Sequence, residues 1–75
     1  MNKHSREDDI QRVYNFVVTY ITTQGRPPCQ REIAEGTFIG RSSVVRFLDI
    51  LVARGELNRE EYVARGISLP RNREE

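Results

Sequence analysis

The sequence predicts a mainly α-helical fold in which three helices are followed by a small β-hairpin. Apolar residues recur at helical spacing in three segments of the first 54 residues, and each segment ends at a glycine. After Gly55 the pattern changes to short alternating runs, which are typical of strands. A chain of 75 residues is long enough for one domain. We expect residues 6–70 to form it, with a flexible N-terminus over 1–5 and a charged tail over 71–75.

The first helix is predicted from Arg6 to Thr23. Ser5 is its expected N-cap, and three acidic residues follow in the first turn, where negative charge suits the helix dipole. Gly25 and the two prolines that follow it should end the helix. The residues expected to face the core are Ile10, Val13, Tyr14, Val17, Tyr20 and Ile21, with Phe16 widening that face.

The second helix is predicted over Cys29–Glu35, with Gly36 as its stop. Glu32 stands three residues after Cys29, which is the spacing of a capping box in which cysteine replaces the usual serine or threonine. A thiol is a poor hydrogen-bond acceptor, so this cap should be weaker than a serine cap. A helix N-terminus also lowers the pKa of a thiol, which leaves an activated cysteine as the alternative. The structural interpretation is favoured because no histidine that could act as a base lies nearby in the sequence.

A short, glycine-rich connection from Gly36 to Gly40 predicts a helix-turn-helix corner. We expect Phe38 and Ile39 to fill the space between the two helices that it joins. The third helix should run from Arg41 to Arg54 and end at Gly55. Its predicted buried stripe is Val44, Phe47, Leu48 and Leu51, with Val52 at the edge.

The last part of the fold is predicted to be a short hairpin. Leu57 begins an extended run, residues from Glu60 to Gly66 have the composition of a turn, and Ile67–Leu69 alternates as a second strand that ends at Pro70. Three helices followed by a hairpin are the layout of a winged helix-turn-helix domain.

Composition and charge exclude several classes of function. Cys29 and His4 are the only residues of their types, so a structural zinc site and a disulfide framework are not expected, and we predict no metal and no cofactor. The N-terminus opens no apolar run, and no segment approaches the roughly 20 apolar residues that span a bilayer. The sequence therefore predicts a cytoplasmic protein that does not interact with membranes.

The net charge of +1 does not by itself indicate nucleic-acid binding. Its distribution is more informative, because residues 26–55 carry five arginines against three acidic residues, whereas residues 56–75 carry four against five. Eleven of the twelve cationic residues are arginine, which makes planar bidentate contacts to phosphate and guanine that lysine cannot make.

In a winged helix-turn-helix domain the outer face of the third helix contacts DNA. At 100° per residue this face holds Ser42, Arg46, Asp49 and Ala53, flanked by Val45. The small residues at its start would let the helix N-terminus approach a phosphate closely. The predicted DNA-binding residues are Arg31, Arg41, Ser42, Ser43, Val45, Arg46, Asp49 and Arg65.

Individual roles follow from side-chain chemistry. Arg46 could read guanine bidentately, and Val45 could touch a thymine methyl group. Asp49 could accept from a cytosine amine, but pairing with Arg46 or a nearby arginine is favoured. Arg65 is expected at the tip of the wing. It either contacts DNA there or is an ordinary arginine of the turn. Glu60 and Glu61 argue against strong contact by the wing.

Three segments of the chain resemble LexA-type repressors. Gly25–Glu35 looks like the segment that leads into and through the second helix of that family. Arg41–Val44, followed by Leu48, Leu51 and the run Ala53–Gly55, is similar to its recognition helix, and Arg65–Leu69 resembles its closing wing strand. The resemblance extends over about residues 7–69, with Gly40 where the family usually has serine.

The resemblance implies a DNA-binding domain of a transcriptional repressor, with base contacts from Ser42, Ser43, Val45 and Arg46. Double-stranded DNA is then the expected partner, bound by a homodimer formed on DNA or through a further C-terminal domain. The family's self-cleaving serine–lysine chemistry is not carried over, because Lys3 is the only lysine and lies outside the predicted fold.

The alternatives to DNA binding are a protein-binding module and an enzyme. A winged helix that binds proteins without strong DNA binding is favoured by the near-neutral charge, by Glu60 and Glu61, and by the expected exposure of Val45 and Ile50. An enzyme is not expected, because the sequence offers no nucleophile–base pair, no metal cluster, no phosphate-binding glycine loop and no room for a small-molecule pocket.

Overall fold

A computed structural model describes residues 6–59 and 66–69 of the chain. Over these residues it contains helices α1 (Arg6–Gln24), α2 (Gln30–Thr37) and α3 (Arg41–Ala53), followed by strands β1 (Asn58–Arg59) and β2 (Ile67–Ser68). The strands form a two-stranded antiparallel sheet. The predicted fold class, a three-helix winged helix-turn-helix, is confirmed. None of the described helices is both long and apolar enough to cross a lipid bilayer.

The three helices pack against one another around a single apolar core. The predicted inward stripe of α3 is confirmed. Helices α1 and α3 contribute residues at helical spacing, α2 contributes one residue, and one residue comes from each side of the hairpin. The buried apolar residues are Ile10, Val13, Val17, Ile33, Val44, Phe47, Leu48, Leu51, Leu57 and Ile67. Tyr14, Tyr20 and Ile21, which were also expected in the core, are only half-buried.

Helix α1 is as predicted, except that it ends at Gln24, one residue later than expected. Gly25 follows with a φ of +76°, and its N–H donates to the Ile21 carbonyl at 2.9 Å. A left-handed residue of this kind closes a helix at low steric cost only when it is glycine. The predicted N-cap, Ser5, lies outside the described residues.

Helix α2 begins after Cys29, as predicted, and the N–H of Cys29 donates to Glu32 Oε1 at 2.9 Å within the capping box. The prediction that Gly36 stops the helix was wrong, because Gly36 is helical and α2 continues to Thr37. The glycine instead makes room for a residue of another helix. The ring of Phe16 on α1 packs against the position that a Cβ would occupy, so a side chain here would force that ring to shift.

Phe38 does not fill the space between α2 and α3, so that part of the prediction was wrong. It is the C-cap of α2, with a φ of +60°, and its side chain is 90 % exposed. The left-handed backbone lets the Phe38 N–H bond the Ala34 carbonyl at 2.9 Å but directs the ring into solvent. Ile39 does pack partly against the core, and the buried residue at the end of α2 is Thr37, whose Oγ1 donates to the Ile33 carbonyl at 2.7 Å.

Replacing Phe38 with glycine is expected to raise the free energy of unfolding by about 1 kcal/mol, because a left-handed conformation costs a residue with a Cβ about 1–2 kcal/mol. Removal of the Phe38 ring costs little buried apolar surface, because the ring is exposed. In a domain of this size the melting temperature should rise by roughly 4–8 °C per kcal/mol, which thermal unfolding followed by circular dichroism measures. Phe38→Ala is the matched control, because it removes the ring but keeps the strained Cβ. Equal stabilities of the two variants would contradict the prediction.

The hairpin docks through the turn that follows α3. Gly55 has a φ of +81°, and the N–H groups of Glu56 and Leu57 both donate to the Leu51 carbonyl, at 2.9 and 3.4 Å. This turn brings Leu57 into the core at 1 % exposure. In the sheet Asn58 is paired with Ser68 and Arg59 with Ile67. The predicted turn lies outside the described residues except for Gly66.

A bidentate ion pair joins the first turn of α1 to the C-terminal end of α3. Arg54 donates from Nη1 to Glu7 Oε2 at 2.8 Å and from Nη2 to Glu7 Oε1 at 2.7 Å. These hydrogen bonds lower the pKa of Glu7 from its ordinary value, opposed by desolvation and aided by the attraction between the two charges. The same contact raises the pKa of Arg54. The pair links the C-terminal end of α3 to the first turn of α1 at the surface of the domain.

Candidate nucleic-acid interface

The outer face of α3 is exposed to solvent from Arg41 to Ala53, as far as residues 6–59 and 66–69 show. Its apolar stripe points into the core, and the residues on the opposite side are exposed to solvent. The exposed residues of α3 are Arg41, Ser42, Arg46, Asp49 and Ala53. Ser43 and Val45 are half-buried beside them. The structure therefore brings six of the eight predicted DNA-binding residues onto one helix.

The N-terminus of α3 is uncapped and unobstructed. Gly40 is the N-cap in an extended conformation, with no side chain to bond the first amides. The first hydrogen bond of the helix is Val44 N–H to the Gly40 carbonyl, at 2.9 Å. The N–H groups of Arg41, Ser42 and Ser43 thus have no partner within the helix. Apart from Gly40 itself and its two chain neighbours, no described residue comes within 4 Å of the position that a Cβ on Gly40 would occupy, which leaves room for an anion to approach.

Arg46 projects from the middle of this face. It is exposed, and it makes no hydrogen bond or ion pair with any residue in the described ranges. The neighbouring Val45 is half-buried, and Ser42 at the start of the helix is exposed. The guanidinium group of Arg46 is therefore available to a ligand that enters along α3.

Asp49 is paired, and its partner is Arg59 on β1 rather than Arg46. Arg59 Nη1 donates to Asp49 Oδ1 at 2.5 Å, with the two side chains 27 % and 65 % exposed. The carboxylate of Asp49 stands one turn after Arg46 on the same face. Arg59 was missed by the sequence analysis because it lies ten residues further on, and nothing in the local spacing indicates which helix position a strand residue will reach.

Arg12 is a second residue that the sequence analysis missed. It lies on α1, and its Nη2 donates to the carbonyl oxygen of Thr37, the last residue of α2. Its Nη1 also contacts Asp9 Oδ1 at 3.5 Å. A cation at the C-terminal end of α2 satisfies a free carbonyl and the negative end of the helix dipole. Arg12 thus fixes the end of α2, from which the turn to α3 departs.

The remaining predicted site residues stand apart from α3. Arg31 is exposed on α2, and Arg65 lies outside the described residues. Cys29 is half-buried at the start of α2 and makes no disulfide. Within residues 6–59 and 66–69 no three histidine, cysteine or carboxylate side chains come together as a metal site would require.

Comparison with known proteins finds similarity to repressors. The chain is 35 % identical over 72 residues to a LexA repressor of Oleidesulfovibrio alaskensis, an alignment that covers 91 % of this chain and 35 % of the relative. It is also 35 % identical over 60 residues to a LexA repressor of Herpetosiphon aurantiacus, covering 79 % of this chain and 28 % of that protein. The chain thus spans about a third of the length of these relatives. No known protein-family profile matches it. The resemblance predicted from the sequence is confirmed.

Proposed function

We propose that this LexA-like domain binds double-stranded DNA sequence-specifically, as the DNA-binding module of a transcriptional repressor. The similarity to two repressors supports a DNA-binding transcriptional regulator. The observation that carries the proposal is the outer face of α3, which combines an N-terminus without a side-chain cap with the exposed Arg46, which has no partner among the described residues. Both features are what a recognition helix needs, because phosphate contacts position it and base contacts give it specificity.

Each part of the face takes a distinct role in this proposal. The free N–H groups of Arg41, Ser42 and Ser43 receive a phosphate, as at other helix N-termini. Arg46 lies in the major groove and donates to O6 and N7 of a guanine, while Val45 contacts a thymine methyl group. Occupancy of the groove then blocks or positions the polymerase.

One such module should bind weakly. With few phosphate contacts, its affinity falls with salt at a slope of roughly −0.9 per neutralised phosphate, and tight specific binding requires a dimer or tandem sites. The same proposal includes a dimer, formed either on DNA or through a further domain. The two repressors are about three times as long as the part that this chain matches, so their chains are long enough to contain such a domain.

A protein-binding module is the second candidate, and one observation favours it. Phe38 is a large apolar side chain that is 90 % exposed at the corner between α2 and α3. The other residues that favoured it from the sequence, Val45 and Ile50, are half-buried, which weakens that case.

Titration of the purified domain against a labelled random-sequence duplex separates the two candidates. We expect binding at 50 mM salt that weakens at 200 mM with the shallow slope of a few phosphate contacts, followed by enrichment of a defined sequence on repeated selection from the pool. A Phe38→Ala control should leave this binding unchanged, because the ring is not among the groups assigned to DNA. The absence of binding at 50 mM salt would overturn the proposal in favour of a protein partner.

A further inference from the structure

The ion pair between α3 and the hairpin extends the candidate interface beyond the recognition helix. Asp49 lies on the outer face of α3, and Arg59 reaches it from β1. We propose that Arg59 is a phosphate-contacting residue of the DNA surface and that Asp49 is the positioning residue that holds it there. This inference rests on the proposed function and adds to it a wing residue and a role for Asp49.

Charge is the first reason. A bare carboxylate on the face that approaches DNA would be repelled by the phosphates, and Asp49 is 65 % exposed on that face. Pairing with Arg59 neutralises it. The arginines at positions 41 and 46 then remain as uncompensated positive charge along the outer face of α3.

The geometry of the pair is the second reason. The contact between Arg59 and Asp49 joins one guanidinium nitrogen, Nη1, to one carboxylate oxygen. A guanidinium has five N–H donors, so one hydrogen bond to Asp49 leaves most of them for a phosphate. Arg59 is only 27 % exposed, so its position is held more closely than that of a freely solvated arginine. A cation held in place loses less conformational entropy when it binds.

The choice of partner is the third reason. Asp49 and Arg46 are three residues apart on one helix, a spacing at which an aspartate and an arginine pair readily. Here the carboxylate is instead occupied by Arg59. Arg46 is therefore left for contact with a base, and Arg59 is held by Asp49 at the edge of the same surface. In this proposal the Asp49–Arg59 pair leaves base contact to Arg46 and assigns phosphate contact to Arg59.

The salt dependence of binding to a random duplex tests the role of Arg59. We expect the slope of log affinity against log salt to be shallower by about 0.9 in Arg59→Gln, the value for one lost phosphate contact. The affinity ratio of wild type to variant should then shrink about 3.5-fold between 50 and 200 mM salt, which is that slope applied to a fourfold change in salt. Arg59→Lys should restore the wild-type slope, because lysine also binds phosphate.

Arg54→Ala is the matched control, since Arg54 is also paired with a carboxylate, but with Glu7 on α1 and not with a residue on the outer face of α3, and it should keep the wild-type slope. A wild-type slope in Arg59→Gln would overturn this inference while leaving the proposed function intact. Absence of wild-type binding at 50 mM salt would overturn both. Circular dichroism of each variant checks that the helices are retained. A slope in Arg59→Lys as shallow as in Arg59→Gln would also count against the phosphate contact.

The positioning role of Asp49 is tested by repeating Arg59→Gln in an Asp49→Asn background. If Asp49 holds Arg59 in place, the loss of Arg59 should change the slope less when the carboxylate is already absent. An equal or larger change in the Asp49→Asn background would overturn the positioning role, because Arg59 would then reach the phosphate without it.

Discussion

Truncating Leu48 to alanine is expected to lower the free energy of unfolding by about 2–5 kcal/mol, the usual cost of opening a cavity at a leucine in a packed core. Leu48 is fully buried in the middle of α3, inside the core that all three helices share. A chain of 75 residues has a total stability of roughly 4–11 kcal/mol, so this one change removes a large part of it. Urea unfolding followed by far-ultraviolet circular dichroism measures the loss.

Ile50→Ala is the matched control for that prediction. Ile50 lies two residues further along the same helix, has the same number of carbon atoms in its side chain, and is only half-buried. Its truncation should cost less than half as much as that of Leu48. Similar losses at the two positions would mean that α3 does not dock on the core through the face described, and the orientation of Arg46 would then have to be revised.

Replacing Arg46 with alanine is expected to cost about 1–3 kcal/mol of discrimination at one base pair of the preferred duplex, because a bidentate guanine contact is lost. The free energy of unfolding should change by less than about 0.5 kcal/mol, since Arg46 is exposed and has no partner among the described residues. Competition between the preferred duplex and its single-base-pair variants, once selection has identified that duplex, gives the discrimination directly.

Arg41→Ala provides the comparison for Arg46. Arg41 is the first residue of α3, beside the amides proposed to hold a phosphate, so its loss should weaken binding to every sequence equally. An equally uniform loss in Arg46→Ala would make Arg46 a phosphate contact instead of a base-reading residue. Unchanged affinity in Arg46→Ala would remove α3 from the interface.

The two largest effects fall on opposite sides of one helix. Leu48 should affect stability, whereas Arg46 should affect recognition and leave stability almost unchanged. This separation follows from the helical period, which sends residues two apart to different faces of α3. The same period made the buried stripe of α3 predictable. The outer face proposed to contact DNA was predictable for the same reason, because it lies opposite that stripe.

Local features of the sequence determined the secondary structure and the inward side of each helix. Apolar spacing placed α1 and α3 to within one residue at their ends, and a glycine with positive φ follows each of them. The change of pattern after Gly55 indicated the hairpin. These features were predictable because each depends on residues within a turn or two of one another. Gly36 was misjudged because its role depends on Phe16, which lies on another helix.

Only the tertiary structure decided which charged and polar groups meet. Arg12 bonds Thr37 across 25 residues, Arg59 pairs with Asp49 across ten, and Arg54 pairs with Glu7 across 47. It also decided that Phe38 faces solvent. Such contacts depend on how the helices and the hairpin dock, and docking is set by the shape of the whole core. The sequence alone thus identified the helix that carries the candidate site, whereas the packing of the fold determined that Arg59 reaches Asp49 and that Arg46 has no partner among the described residues.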